Sequence, residues 1–185
     1  MEIWEIALYA IIVLVAIAAV FFFTLSAFYR KPGPEEAIIC TGIGGLRVQT
    51  GKGMIIIPVA HRASRMDLSV KRIEIAREGE DGLICQDNIR ADIRVAFFVR
   101  VNNEAVDIKQ VAEFLNPERA SDIEQLRTLF EAKFSEALKT VGKQFDFVSL
   151  YTDRDNFRDQ ILGAIGQDLN GYRLDNCHID YLEQT

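Results

Sequence analysis

The histidines and cysteines are the first residues of this sequence that could do chemistry, by holding a metal ion. A site would have to combine His61 or His178 with Cys40, Cys85 or Cys177, yet no C-x-x-C or H-x-x-x-H spacing brings such ligands together. The neighbours Cys177 and His178 fall on opposite faces of a predicted strand. We therefore expect small buried cysteines, partly exposed histidines and no metal.

Two glycine-rich stretches resemble parts of nucleotide-binding loops, but each lacks essential members. Gly42–Gly45 would have to open a helix as part of G-x-G-x-x-G, whereas the residues that follow are typical of a strand. The stretch Thr50–Gly53 has Leu46 where a phosphate-binding loop needs its first glycine, and Gly53 where it needs Ser or Thr. Both patterns favour hairpin turns.

Other catalytic patterns are equally weak. No serine or cysteine stands in a nucleophile-elbow sequence. The acids Asp153, Asp155 and Asp159 suit a solvated helix face better than a pair of catalytic carboxylates. We expect no enzyme, no catalytic residue and no cofactor.

The first thirty residues predict a membrane anchor instead. Ile6 to Tyr29 contains 24 residues without a charge, and a helix of that length spans ~36 Å, enough to cross a hydrocarbon core of ~30 Å. The residues predicted to represent this anchor are Ile6, Leu14, Phe22 and Tyr29. The acidic start, Met1–Glu5, lacks the basic region of a cleaved signal peptide. Residues 1–31 are therefore predicted to be a transmembrane anchor and residues 32–185 one domain.

Arg30 and Lys31 predict which way the anchor runs. They follow the apolar stretch directly, and cytoplasmic flanks of membrane helices favour Lys and Arg. We expect a single-pass membrane protein with its domain in the cytoplasm, a compartment that also suits three scattered cysteines. The formal charge of -6, without any Lys or Arg run longer than two, argues against nucleic acid as a partner.

The domain has strands first, then helices, then one strand. Ile89–Val101 alternates apolar and polar residues and predicts a long strand with one buried face. Ser121 with Glu124, and Thr152 with Asp155, have the spacing of capping boxes that open helices. This order predicts an α+β domain. The expected strands are 37–41, 46–49, 54–59, 66–76, 83–86, 89–101 and 172–182, and the expected helices are 104–115, 121–142 and 152–169.

Two surfaces bear on function. Gly53–Val59 is apolar on both faces, so it is either an interior strand or a hairpin edge that enters the bilayer beside the anchor, through Met54, Ile55, Ile56 and Ile57. The polar face of the long strand carries charges that either are solvated or contact neighbouring copies of the chain. These possible inter-subunit residues are Arg90, Asp92, Arg94 and Arg100.

A family resemblance now emerges from particular residues. The sequence Pro-Gly-Pro-Glu-Glu at 32–36 opens the domain, glycine-marked hairpins end in Ile57-Pro58, and Asp87, Arg90 and Asp92 lie in alternating strand. Together with the closing Asn-Cys-His-Ile-Asp-Tyr at 176–181, this resembles the SPFH or band 7 domain, and most closely the flotillins, in particular bacterial flotillin-like inner-membrane proteins. The resemblance implies antiparallel strands with two to three helices, and a coiled coil beyond residue 185.

The resemblance also implies a function. Such proteins are expected to be scaffolds in which many copies form a ring or cage on the bacterial inner membrane, enclosing lipid and organising membrane microdomains and partner membrane proteins. The partners it implies are membrane lipid, a large homo-oligomer and a small NfeD-like membrane protein. Three alternatives stay open: a stomatin-like or prohibitin-like regulator of a membrane protease or channel, a membrane-anchored enzyme whose active part lies outside this chain, and a monomeric binding module.

Overall fold

The computed structural model describes residues 3–42, 45–56, 61–166 and 169–184. Its first element is a 26-residue helix, α1, from Ile3 to Phe28. The helix starts three residues before the predicted Ile6 and stops one residue before Tyr29. Tyr29 instead begins a two-residue strand, because its backbone pairs with a later strand rather than continuing the helix. Pro32 lies too close for the helix to extend further.

Within the described residues nine strands follow, and all of their pairings are antiparallel. They form a two-stranded ribbon, β1 with β4, a three-stranded sheet in the order β3-β2-β5, and a four-stranded sheet around β8. The strands are β1 (Tyr29–Arg30), β2 (Glu36–Gly42), β3 (Arg47–Thr50), β4 (Met54–Ile55), β5 (His61–Asp67), β6 (Lys71–Arg77), β7 (Leu83–Ile84), β8 (Arg90–Val101) and β9 (Tyr172–Gln184).

The strand β8 is the centre of the larger sheet and confirms the prediction of a long alternating strand. β6 and β7 pair with successive parts of one edge, and β9 pairs with the other edge along its whole length. Register shifts after Arg94 and after Phe98 interrupt the β8–β9 pairing. The shift after Arg94 lies between Cys177 and Tyr181 on β9, and it explains why Cys177 is buried whereas Tyr181, on the same face by simple alternation, is exposed.

In the described part of the domain five α-helices cover the sheets. Three of them are the long helices that the sequence predicted, and two are short additions. Phe134 of the longest helix stacks on Phe97 of β8, with ring centroids 4.4 Å apart, and this contact joins helix to sheet at the centre of the core. The α+β fold class is thus confirmed. The helices are α2 (Ala105–Leu115), α3 (Pro117–Ser121), α4 (Ile123–Gly142), α5 (Phe147–Thr152) and α6 (Arg154–Ile165).

The predicted strand 66–76 is wrong, because the chain breaks there into β5 and β6. The Asp67 carboxylate accepts a hydrogen bond of 2.8 Å from the Ser69 N–H, which is an Asx turn. The Leu68 N–H is also diverted, since it donates to the carbonyl of Glu35. A short side-chain turn therefore ends one strand and passes the chain to the other sheet.

Both predicted capping boxes are wrong as well. Ser121 ends α3, where its hydroxyl donates to the Pro117 carbonyl and accepts from the Asp67 N–H, and Asp122 caps α4 by accepting from the Glu124 N–H at 3.0 Å. Thr152 ends α5, and its hydroxyl donates to the carbonyl of Val148. In both places a short helix precedes the long one and takes the hydroxyl away from the cap.

Candidate membrane interface

The helix α1 is apolar and lies apart from the core. By length and composition its residues Leu8–Phe28 qualify as a membrane span, with a mean hydropathy of 2.8 and no buried residue. Leu14 and Phe22 are 69% and 75% exposed. Ile6 lies in the first turns of the helix, ahead of that window. An apolar surface of this size is unfavourable in water. The hydrocarbon core of a bilayer would bury it.

The junction between α1 and the domain is built by strand pairing. Tyr29 and Arg30 pair with Ile55 and Met54, so β4 lies directly beside the end of α1. The Ile56 N–H donates a further hydrogen bond of 3.0 Å to the Phe28 carbonyl, one of the groups that a helix end leaves without a partner. Backbone hydrogen bonds therefore join α1 to the domain, in addition to the covalent chain.

Gly53 shows how closely the two parts approach. A Cβ at this position would lie 2.1 Å from the Tyr29 hydroxyl oxygen, so the end of the exposed tyrosine side chain lies against the glycine backbone and would have to shift for any larger residue. Thr50–Gly53 is indeed a turn, with Gly51 at a φ of 70° and the Lys52 N–H donating to the Thr50 carbonyl.

The segment predicted to contact membrane lies at this junction. Met54 and Ile56 are half-buried and Ile55 is 51% exposed, so the interior-strand alternative does not describe them. Ile57 lies outside the described residues. The pairing with β1 places these apolar side chains next to the end of the candidate span, while their contact with lipid stays a prediction.

Basic residues surround the same junction. Arg30 and Lys31, the predicted topology-setting residues, are exposed just after α1. A cavity of about 560 Å³ opens between the end of α1 and β5, and it is lined by Arg30, Arg62, Arg65 and His61 among others. Neither Arg62 nor Arg65 was predicted to belong to a site. The signal that would have found them is the concentration of basic residues between positions 30 and 65.

The predicted inter-subunit residues on β8 have partners within the chain. Asp92 accepts a 2.9 Å hydrogen bond from the Gly79 N–H, and Arg90 donates to the Glu80 carbonyl at 2.8 Å. Arg94 Nη2 lies 2.6 Å from Glu78 Oε1, and Arg100 Nε lies 2.8 Å from Asp175 Oδ2. The four residues therefore share one charged face of the sheet, on which Arg90 is exposed and the other three are half-buried, and their contact with other copies stays a prediction.

The cysteines are buried and free. Burial raises the pKa of the Cys85 thiol and of the Cys177 thiol to about 11, so both stay protonated near neutral pH. His178 is exposed and its ring lies edge-on to Phe98. Within the described residues there is no group of three or more His, Cys, Asp or Glu that could hold a metal ion.

Comparisons with known proteins identify a family and relatives for this chain. The model of the "SPFH domain / Band 7 family" matches residues 31–179, which begins where α1 has ended. The flotillin family inner membrane protein YqiK of Escherichia coli K12 is 32% identical over 97% of this chain. The flotillin family inner membrane protein sll1021 of Synechocystis is 27% identical over 95% of it.

The chain therefore belongs to the SPFH domain / Band 7 family, as its resemblance suggested. Its apolar helix and the names of its relatives together support a flotillin-like membrane protein. The chain spans only about a third of the length of the curated relatives that it matches, 32% and 27%.

Proposed function

We propose that this chain is the membrane-anchored part of a flotillin-like scaffold. Many copies would stand side by side as a ring or cage, enclose a patch of lipid and organise membrane microdomains with their partner membrane proteins. The observation that carries the proposal is the junction of α1 with the SPFH domain. Because the two are joined by the β1–β4 pairing and the Ile56–Phe28 hydrogen bond, each copy presents its domain in a fixed relation to its membrane helix.

The proposal places the domain in the cytoplasm. Arg30 and Lys31 lie on the domain side of α1, which is the side that basic flanks favour. A reporter that is active only outside the cytoplasm, fused after Thr185, should stay silent, and the same reporter fused ahead of Met1 should be active. The reverse pattern would overturn the orientation.

Assembly is tested by particle size. The full-length protein, with whatever follows these residues, is purified in a mild detergent and measured by size-exclusion chromatography with light scattering. Particles of megadalton mass support the scaffold, and monomeric particles at all protein concentrations refute it. Proteins that co-purify show whether a small NfeD-like membrane protein is a partner, or whether a membrane protease or channel is held instead, as the regulator alternative predicts.

The charged face of β8 is proposed to contact neighbouring copies. Reversal of Arg94 and Arg100 to Glu should reduce the particle mass, but it also breaks three ion pairs within the chain, those of Arg94 with Glu78 and Glu74 and that of Arg100 with Asp175. The matched control restores the two shorter pairs in the opposite sense, by adding Glu78→Arg and Asp175→Arg. If the particles stay small in this control, the face contacts other copies. If they recover fully, the effect was internal and the interface proposal fails.

No enzymatic step is part of the proposal. Two observations support this. The thiols of Cys85 and Cys177 stay protonated near neutral pH. The relatives of the chain are named for a membrane location and not for a reaction. A nucleotide or metal ion bound in stoichiometric amount to the purified full-length protein would contradict it.

A further inference from the structure

The cavity at the end of α1 has the chemistry of an anion site. We propose that it holds the phosphate of an anionic phospholipid from the leaflet on the domain side, bound by Arg30, Arg62 and Arg65. The inference deepens the proposed function, since it rests on α1 crossing a membrane. It names a lipid class for a scaffold that would otherwise require only an apolar bilayer.

The strand β5 positions two of the three arginines. His61, Ala63 and Arg65 alternate onto the face of β5 that meets the end of α1, and Arg65 lies opposite Ile38 of β2. Arg62 lies on the other face of β5 by this alternation, where it also lines a second cavity with Glu113 and Glu118, and at this edge strand it lines the cavity at the end of α1 as well. Arg30 enters from the other side, through β1. Residues from two distant parts of the chain thus line one cavity.

The polar groups of the cavity have spare binding capacity. Among the described residues Arg30 and Arg62 form no ion pair, and Arg65 pairs only with Glu36, whose Oε2 lies 3.9 Å from Arg65 Nη1 in an exposed pair. Such pairs are weak. The Nδ1 atom of His61 is buried and has no hydrogen-bond partner among the described residues. A phosphate oxygen is an acceptor that would satisfy it.

The distribution of charge along the chain also favours an anionic ligand at this junction. Residues 29–65 carry the basic side chains Arg30, Lys31, Arg47, Lys52, Arg62 and Arg65, and only two acids, Glu35 and Glu36. Residues 66–185 carry 23 acids and 15 basic residues. A chain with a net charge of -6 is therefore positive where it meets the membrane and negative farther away, which complements an anionic lipid surface.

A lipid is favoured over a free anion because of what else lines the cavity. Ala27 and Phe28 of α1 and Ile56 form part of its wall, so a headgroup here leaves its acyl chains beside the apolar helix. The end of α1 does not itself attract an anion, because the carbonyl groups at a helix C-terminus carry partial negative charge. The arginines must supply the attraction.

The test measures lipid binding by the full chain in detergent, so that neither orientation nor assembly enters the result. Short-chain phosphatidylglycerol or phosphatidylcholine is titrated in, and bound lipid is counted by native mass spectrometry. Phosphatidylglycerol should bind more tightly. One arginine beside anionic lipid strengthens binding about fivefold, so Arg62→Gln with Arg65→Gln should weaken it about 25-fold. Arg30 is kept because it also sets topology.

The matched control removes the same charge from another surface. Arg119→Gln with Arg127→Gln alters two exposed arginines on α3 and α4 and should change the affinity less than twofold. Equal binding of the two lipids, or equal loss in both double variants, would overturn the proposal. If inorganic phosphate binds through the same arginines and displaces the lipid at equal concentration, the site binds free phosphate and the assignment of a lipid is wrong. A failed lipid assay would leave the particle-size test of the scaffold unaffected.

Discussion

Gly142→Ala should destabilise the domain, although alanine is the better helix former. Gly142 is the last residue of α4, and a Cβ there would lie 2.5 Å from Cδ2 and 2.6 Å from Cγ of Leu83 on β7. Leu83 is 1% exposed and cannot move without displacing the core around it. Alanine gains at most ~1 kcal/mol in helix propensity, while overpacking of a core costs ~1–3 kcal/mol. A net loss of about 1 kcal/mol is expected.

Urea unfolding of the full chain in mild detergent, followed by far-ultraviolet circular dichroism, measures this loss. Because the urea m-value of a small domain is about 1–3 kcal/mol per molar, the midpoint should fall by roughly 0.3–1 M. Gly163→Ala in α6 is the matched control, since a Cβ at Gly163 meets no atom within 4 Å. It should raise the midpoint.

A double-mutant cycle decides whether Leu83 is the cause. Leu83→Ala alone leaves a cavity and should cost ~2–5 kcal/mol. Combined with Gly142→Ala it should cost less than the sum of the two single changes, because the new methyl group then occupies space that the leucine has left. Strict additivity, or a rise of the midpoint in Gly142→Ala to match Gly163→Ala, would refute the close approach of α4 and β7.

Two further predictions concern ionisable groups. Burial raises the pKa of Asp67, but hydrogen bonds from Lys71 and Ser69 outweigh this and hold it below 3.8. Asp67→Asn should therefore cost about 1 kcal/mol at pH 7 after allowance for screening, and the difference should vanish as the pH falls through the lowered pKa, measured by urea midpoints. Cys85 and Cys177 should resist iodoacetamide at pH 8 until urea unfolds the chain, as judged by mass spectrometry; rapid labelling of the folded chain would contradict their burial.

Periodic signals in the sequence were sufficient to predict the larger helices and strands. The alternation in Ile89–Val101 predicted β8 because a strand with one buried face has a period of two. The apolar spacing along Ile123–Val141 predicted α4 in the same way. The apolar run after Glu5 predicted α1 from length alone. These elements are determined by their own residues, so no knowledge of the rest of the fold was needed.

The details that failed are those that depend on distant residues. Ser121 matches a capping box locally, but the Asp67 N–H, 54 residues earlier, occupies its hydroxyl. Gly142 does end α4, but its close approach to Leu83 on β7 leaves no local signal. Arg62 and Arg65 belong to a visible concentration of basic residues, but only the fold brings them to one cavity with Arg30. Sequence periodicity carries no information about such tertiary contacts.

The β1–β4 ribbon has a mechanical consequence. A flexible linker would let a membrane helix tilt while its domain kept still, but here the end of α1 is hydrogen-bonded to β4, which follows β3 of the three-stranded sheet along the chain. The 21 residues Leu8–Phe28 span ~31 Å as a helix and match an average bilayer, and in a thinner one the helix must tilt. In the proposed scaffold the domain would turn with the helix, so that the thickness of the bilayer would set the angle between neighbouring copies.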